Sequence, residues 1–181
     1  MSNTELPRLV DPSKLAEQSV SLEGVVPLRS LTRFAEVLHD PEGEVSVVLQ
    51  FGRDPEKRRI IEGRLNTSVV LECQRCMSAL RTTLSSDFVL GLVISDDQAR
   101  QLPREYEPFL MKDFEADLWQ MVEDELLLAV PPFPLHEREE CPASEALEEF
   151  ERADEVVGSE EPEKRENPFS VLAELKKKDQ H

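Results

Sequence analysis

Apolar and polar residues alternate along much of the first half of this chain, which is the pattern of strands that bury one face. Residues 19–26 and 44–53 alternate in this way, and residues 57–72 and 81–94 form two longer β-like runs. Gly63 interrupts the first long run and is a candidate for a β-bulge. The pattern predicts a meander of antiparallel strands with polar outer faces, or a partly closed barrel.

Three other segments carry apolar residues at helical spacing. Residues 12–18 and 27–38 each begin with a proline, which suits the first position of a helix. The clearest helix covers residues 117–130, where Asp117 can cap the N-terminus and Pro131 stops the helix. Together with the strands, these segments predict an α+β fold in which a few helices pack on the sheet.

The composition changes beyond residue 136. Residues 137–166 contain 13 acidic and 4 basic residues, a net charge of −9. Such a segment repels itself and buries little apolar surface. We therefore predict an α+β core domain at residues 1–136, a flexible acidic linker at 137–166 and a short C-terminal helical motif at 167–181.

The C-terminal motif resembles a peptide that docks on a partner. Asn167 and Pro168 form a helix start, and lysines follow near the end, where they favour the negative pole of a helix dipole. An apolar stripe of two turns faces one side, formed by Phe169, Leu172 and Leu175. Docking on another molecule is one interpretation, and packing back on the chain's own domain or a frayed tail are the others.

The net charge of the chain limits its choice of partners. The 38 acidic and 21 basic residues give a formal charge of −17. A chain of this sign is repelled by phosphates, which disfavours an extensive direct grip on RNA but leaves room for a local basic patch. It suits a basic partner, and ribosomal proteins are a large pool of such partners. The alternative is that the charge only keeps the protein soluble.

No secretory or membrane signal is visible. The N-terminal residues lack a basic segment followed by an apolar stretch. The longest apolar run, residues 126–134, is too short to cross a bilayer, which takes ~20 residues. Three cysteines in such a chain indicate reduced thiols rather than a disulfide framework. We expect a cytoplasmic protein without a membrane partner.

Cys73 and Cys76 form a C-x-x-C turn, which can supply half of a tetrahedral zinc site. His136 and Cys141 are the candidates for the other two ligands, although four residues separate them. The alternatives are structural thiols and a redox pair. A redox pair usually sits at a helix N-terminus, whereas this turn follows a β run.

Motifs of common enzymes are absent from the sequence. It contains no G-x-S-x-G, no Walker loop and no G-x-G-x-x-G, and its six glycines are scattered singly. We therefore predict a non-enzymatic protein without a small-molecule substrate. The residues that could instead contact RNA are Arg58, Arg59, Arg75 and Arg81.

Several blocks of the chain resemble the YceD family. These are LECQRC at residues 71–76, LPREYEP at 102–108, MVEDELLLAVP at 121–131 and NPFSVLAELK at 167–176. The resemblance implies a factor needed for accumulation of the large-subunit ribosomal RNA. No catalytic activity is established for the family. Some relatives have a second, tighter cysteine pair near the C-terminus, where this chain has His136 and Cys141.

Two mechanisms fit these observations. In the first, the core domain and its acidic tail bind a basic large-subunit ribosomal protein or a precursor complex. In the second, the chain is an RNA-binding module that uses the four arginines named above. An RNA-processing enzyme is a third class, and it lacks a recognisable cofactor pocket in the sequence.

Overall fold

A computed structural model describes residues 4–111 and 115–157, with side chains described up to residue 152. The chain divides into two compact units, residues 1–137 and 138–181. The strands of the first unit are β1 Leu9–Val10, β2 Ser21–Pro27, β3 Glu44–Arg53, β4 Arg59–Glu72, β5 Ala79–Val93, β6 Glu107–Leu110 and β7 Ala116–Asp117. Its α-helices are α1 Pro12–Glu17, α2 Thr32–Ala35, α3 Asp96–Gln101 and α4 Leu118–Ala129, and a 3₁₀ turn covers Leu28–Ser30.

The main sheet has five strands in the order β2-β3-β4-β5-β6. The first four are antiparallel neighbours and form the predicted meander. Strand β6 instead runs parallel to β5, because the connection that contains helix α3 returns the chain alongside Leu90–Val93, the last residues of β5. Strands β1 and β7 form a separate two-stranded antiparallel sheet. The predicted α+β class is confirmed, with an open mixed sheet rather than a closed barrel.

The hydrophobic core lies on one face of the main sheet, as the alternating pattern predicts. Helix α4 covers this face with one apolar side, and Asp117 caps its N-terminus by accepting hydrogen bonds from the N–H groups of Trp119 and Gln120. The buried residues that the strands and α4 contribute include Val45, Val47, Leu49, Ile61, Leu65, Leu71, Leu118, Met121, Val122 and Leu126.

The bulge expected at Gly63 is absent. Strand β4 pairs without a break, with Gly63 opposite Leu49 on one side and Phe88 on the other. The ring of Phe88 lies over Gly63, and a β-carbon at this position would collide with it. Gly63 is therefore needed for close packing of an aromatic ring on the sheet rather than for a kink.

The single helix expected at residues 27–38 is also incorrect. Pro27 still pairs with Glu44 in the sheet, so the helical residues begin later, as a 3₁₀ turn followed by the short helix α2. Leu28, Leu31 and Phe34 are nevertheless buried, as their spacing predicts. The apolar pattern thus marked the buried side correctly but not the length of the helix.

The second unit is described from residue 138 to residue 157. It contains a 3₁₀ turn at Arg138–Glu140 and helix α5 at Ser144–Val157, which lie in the segment predicted to be a linker. The predicted motif of Phe169, Leu172 and Leu175 lies outside the described residues. None of the helices described is long and apolar enough to cross a membrane.

Candidate functional site

The two cysteines of the C-x-x-C sequence lie in the tight connection between β4 and β5. The Cys73 N–H donates to the Ser78 C=O at 2.9 Å, and the Met77 N–H donates to the Cys73 C=O at 2.8 Å. Met77 has a φ of 58°, in the left-handed region that tight turns use. Cys73 is buried, and both cysteines are free thiols.

His136 reaches this turn from the segment that follows α4. The Gln74 N–H donates to the Pro134 C=O at 2.9 Å and holds the two segments together. The Nδ1 atom of His136 lies 3.4 Å from the Sγ atom of Cys76. The two sulfur atoms and a ring nitrogen of His136 all lie within 4.8 Å of one another.

The second ring nitrogen of His136 fixes its tautomer. Its Nε2 atom lies 3.2 Å from the C=O of Ala79, which can only accept a hydrogen bond. Nε2 therefore carries the proton in the neutral ring, and the lone pair of Nδ1 faces the sulfur atoms. Ligating histidines are commonly oriented in this way, with the distal N–H donated to a carbonyl.

The surroundings of Cys73 favour its thiolate. Burial opposes ionisation, but hydrogen bonds from the backbone of Cys76, His136 and Arg75 and from the Cys76 side chain lower the pKa of Cys73 from 9.0 to about 5. A hydrogen bond with Cys73 in turn raises the pKa of His136, against the effect of burial. Cysteine sulfur and histidine ring nitrogen are ligand types for a metal ion, and the short distances among these atoms mean that this Cys/His cluster could hold one.

Cys141, the fourth ligand predicted from the sequence, belongs to the second unit. Its C=O accepts hydrogen bonds from the N–H and the hydroxyl of Ser144, at 2.9 and 2.6 Å. Its place as the fourth metal ligand stays a prediction.

The four arginines proposed to contact RNA do not form one cluster. Arg58 is paired with Asp54 at 3.0 Å and Arg59 with Glu17 at 2.9 Å, both near the start of β4. Arg75 and Arg81 lie near the other end of this strand. Since a strand rises ~3.3 Å per residue, the two pairs are separated by roughly 40 Å along β4.

An acidic groove beside β5 was not expected from the sequence. It has a volume of about 840 Å³. Its defining carboxylates are Glu62, Glu105, Glu107 and Glu125. None of the four makes an ion pair within the described part of the chain. The one sign of this groove in the sequence was Glu125, an acidic residue on the apolar face of the helix predicted at residues 117–130.

Burial perturbs one of these carboxyl groups. The Glu125 residue is only 8% exposed. Burial raises the pKa of Glu125, and the charges of Glu107 and Asp124 raise it further, while a hydrogen bond with Ser86 acts in the opposite direction. The ionised form of Glu125 is therefore disfavoured in the groove, and a cationic partner bound there would make ionisation more favourable.

Comparison with known proteins assigns the chain to a family. A family model described as large ribosomal RNA subunit accumulation protein YceD matches residues 61–176. The chain is also 39% identical over 179 residues to the protein of that name from Haemophilus influenzae, which covers 98% of this chain and 100% of the relative. The chain belongs to the YceD family. The YceD match includes the C-x-x-C turn, β5, α4 and both further candidate ligands. No solved structure matches the chain.

Proposed function

We propose that this protein is a non-enzymatic factor for accumulation of the large-subunit ribosomal RNA, and that it acts in ribosome biogenesis by binding a basic ribosomal protein or a precursor complex. Membership of the YceD family supports a role in ribosomal RNA accumulation, because the Haemophilus relative is named for that process. The cytoplasm is the proposed location, since ribosomal proteins and precursor RNA meet there in bacteria.

The acidic groove is the observation that carries the binding mechanism. Four carboxylates lie together there without an ion pair among the described residues, in a chain whose net charge is −17. Arg64 also lines the groove but is paired with Asp87, so acidic residues dominate, and clefts in which one sign of charge dominates attract ligands of the other sign. A Lys- and Arg-rich protein segment would relieve this repulsion, whereas RNA phosphates would add to it.

Direct binding of RNA is the second candidate. Arg75 and Arg81 flank the cysteine turn, and within the described residues neither makes an ion pair. Arg58 and Arg59 support it less, because carboxylates neutralise both. This candidate predicts salt-dependent binding of ribosomal RNA fragments that weakens when these arginines become glutamates.

We also propose that the Cys/His cluster binds zinc in a structural role. Thiolate and imidazole ligands select zinc among the common divalent ions, and structural zinc sites have four protein ligands. Cys73, Cys76 and His136 would supply three of them, and Cys141 is the predicted fourth. Zinc would join the β4–β5 turn to the segment that follows α4, which stabilises the end of the sheet.

Purification of the tagged full-length protein from growing cells, with identification of bound proteins and RNA, tests the proposed function. We expect basic large-subunit proteins or their precursor complexes above background. The double variant Glu105→Lys with Glu107→Lys should capture less, because it reverses charge in the acidic groove.

A matched control changes the same number of charges elsewhere. Glu36 and Glu42 are exposed and do not line the groove, so Glu36→Lys with Glu42→Lys should capture as much as the wild type. Absence of large-subunit components from the wild-type preparation would contradict the proposed function. Equal losses in both double variants would show that net charge, rather than the groove, sets the affinity.

A further inference from the structure

Strand β5 has a stretch that is paired on one side only. Strand β4 pairs with β5 from Ala79 to Gly91, but β6 pairs only with residues from Leu90 to Val93. Within residues 4–111 and 115–157, no strand lies next to residues 80–89 on the side away from β4. A long, unpaired strand edge is a template for another extended chain.

Contacts at the two ends of β5 show which backbone groups face this open side. The Met111 N–H donates to the Val93 C=O at one end, and His136 Nε2 lies 3.2 Å from the Ala79 C=O at the other. The N–H and C=O groups of a strand residue point to the same edge, and successive residues alternate. The register with β4 has no break. The odd-numbered residues between the two ends therefore face outward, and Arg81, Thr83, Ser85 and Asp87 are those that lie before Val89, the residue next to the start of the pairing with β6.

The open stretch is bounded at both ends. His136 caps the edge at Ala79, and β6 begins its pairing at Leu90. The interval from Arg81 to Asp87 is roughly 20 Å long and would accept a strand of about seven residues. No hydrogen bond within the described part of the chain joins the outward backbone groups of this interval to another segment.

The acidic groove lies along this edge. Ser85, Asp87 and Val89 line it together with its four defining carboxylates. Arg64 is the one cationic residue among the described lining residues, and its Nε atom is paired with Asp87 at 2.7 Å. Leu128, which is 74% exposed, adds an apolar contact at the same groove.

We propose that the open edge of β5 binds an extended Lys- and Arg-rich protein segment as an added strand. The inference rests on the proposed function, since it specifies how a basic partner would be held. The outward N–H and C=O groups supply backbone hydrogen bonds that any sequence can make, and the acidic groove selects for cationic side chains. A second copy of this chain is a poorer occupant, because two acidic grooves would meet and repel each other.

Peptide binding to the full-length protein tests the proposal. The probe is a fluorescein-labelled nine-residue peptide of alternating lysine and valine, compared with one in which glutamate replaces lysine. We expect the lysine peptide to bind at least about tenfold more tightly, and the difference to shrink as salt is added. Equal affinities for the two peptides would overturn the charge selection.

Two substitutions at one position test the strand pairing. Ser85→Pro removes an outward N–H and leaves the ladder with β4 intact, since proline is tolerated where the N–H faces away from the sheet. It should weaken binding of the lysine peptide at least about tenfold. Ser85→Ala keeps the N–H and should bind within about twofold of the wild type. Equal binding by both variants would overturn the proposal.

Amide hydrogen exchange of the wild-type protein decides the matter even if Ser85→Pro fails to fold. In the free protein, the amides of Ser85 and Asp87 should exchange quickly, and those of Leu84 and Ser86 slowly. The lysine peptide should protect Ser85 and Asp87. Binding without this protection would overturn the proposal, and so would protection that rises with protein concentration alone, which indicates a second copy on the edge.

The same variants separate this inference from the proposed function. If the wild type and Ser85→Pro capture large-subunit proteins from cells equally well, the edge is not the binding surface, and the proposed function stands. If the wild type captures none but the lysine peptide protects Ser85 and Asp87, the edge binds basic segments and the proposed function is wrong.

Discussion

The carboxylate of Glu123 caps the N-terminus of α2 and binds the guanidinium of Arg33 at the same time. One oxygen accepts from the Arg33 N–H at 2.7 Å and the Phe34 N–H at 3.2 Å. The other accepts from Nε and Nη2 of Arg33, at 3.0 and 2.8 Å. Because α2 has no capping side chain of its own, a buried residue of α4 satisfies its first N–H groups.

Replacement of Glu123 by Ala should therefore lower the free energy of unfolding by about 2 kcal/mol, since it removes a cap and a largely buried ion-pair partner. Urea unfolding measures the difference. Asp124 contacts the same guanidinium at 2.7 Å but is half exposed, so Asp124→Ala should cost less than ~1 kcal/mol. Equal costs for the two variants would show that the buried contacts of Glu123 contribute no more than a surface pair.

Metal content tests the cysteine turn. The full-length protein purified without chelator should contain about one zinc ion per chain, and Cys73→Ser should lose it. Cys73→Ser should also be less stable than the wild type. A chelator that removes the metal from both proteins should abolish this difference in stability. A zinc content below about a tenth of an ion per chain would reject a structural site.

The fourth ligand has its own test. Cys141→Ser should lower zinc affinity if Cys141 completes a tetrahedral site. Zinc titration against a competing chelator measures the change. Unchanged affinity would remove Cys141 from the ligand set and leave three protein ligands, the arrangement of an open site.

Gly63 tests the packing of the sheet. Gly63→Ala should lower the free energy of unfolding by about 2 kcal/mol, because the new methyl group meets the ring of Phe88. Phe88→Leu should reduce that cost when the two changes are combined, a coupling that a double-mutant cycle measures. Strictly additive effects would contradict the contact.

Glu125 gives the stability a specific dependence on pH. Burial, with the charges of Glu107 and Asp124, raises the pKa of Glu125 above its ordinary value of 4.5. The folded state then holds this proton more tightly than the unfolded state, so stability falls as the pH rises from about 4.5 through the folded pKa.

Glu125→Gln should therefore be more stable than the wild type at pH 7, and the advantage should shrink toward pH 4. Thermal or urea unfolding at both values measures it. Glu105→Gln is the control, because Glu105 is exposed and should change stability little at either pH. A constant difference between Glu125→Gln and the wild type across this range would contradict the shift.

The sequence predicted the strands well because each of them buries one face. Val45, Val47 and Leu49 alternate with polar residues, and that alternation requires no knowledge of the neighbouring strands. The length of the helix after Pro27 could not be predicted, because Pro27 keeps its place in the sheet and the cap of α2 comes from Glu123, which is distant along the chain. Such contacts have no local signal.

In the candidate site, too, local features could be predicted from the sequence, whereas features that depend on distant contacts could not. Cys73 and Cys76 are visible as a motif, but the tautomer of His136 depends on Ala79 and on the path of the chain after α4. The acidic groove depends on the order of the strands, since β6 covers only one end of β5. Alternation predicts a strand but does not show which of its edges stays open.

Photo-crosslinking in growing cells tests the central claim most directly. A photoreactive residue replaces Ser85 in the full-length protein, and Glu42 serves as the control position outside the groove. The account predicts crosslinks from position 85 to Lys- and Arg-rich segments of large-subunit proteins, with little RNA and few crosslinks from position 42. Dense crosslinks from position 85 to ribosomal RNA, without a ribosomal protein, would contradict it.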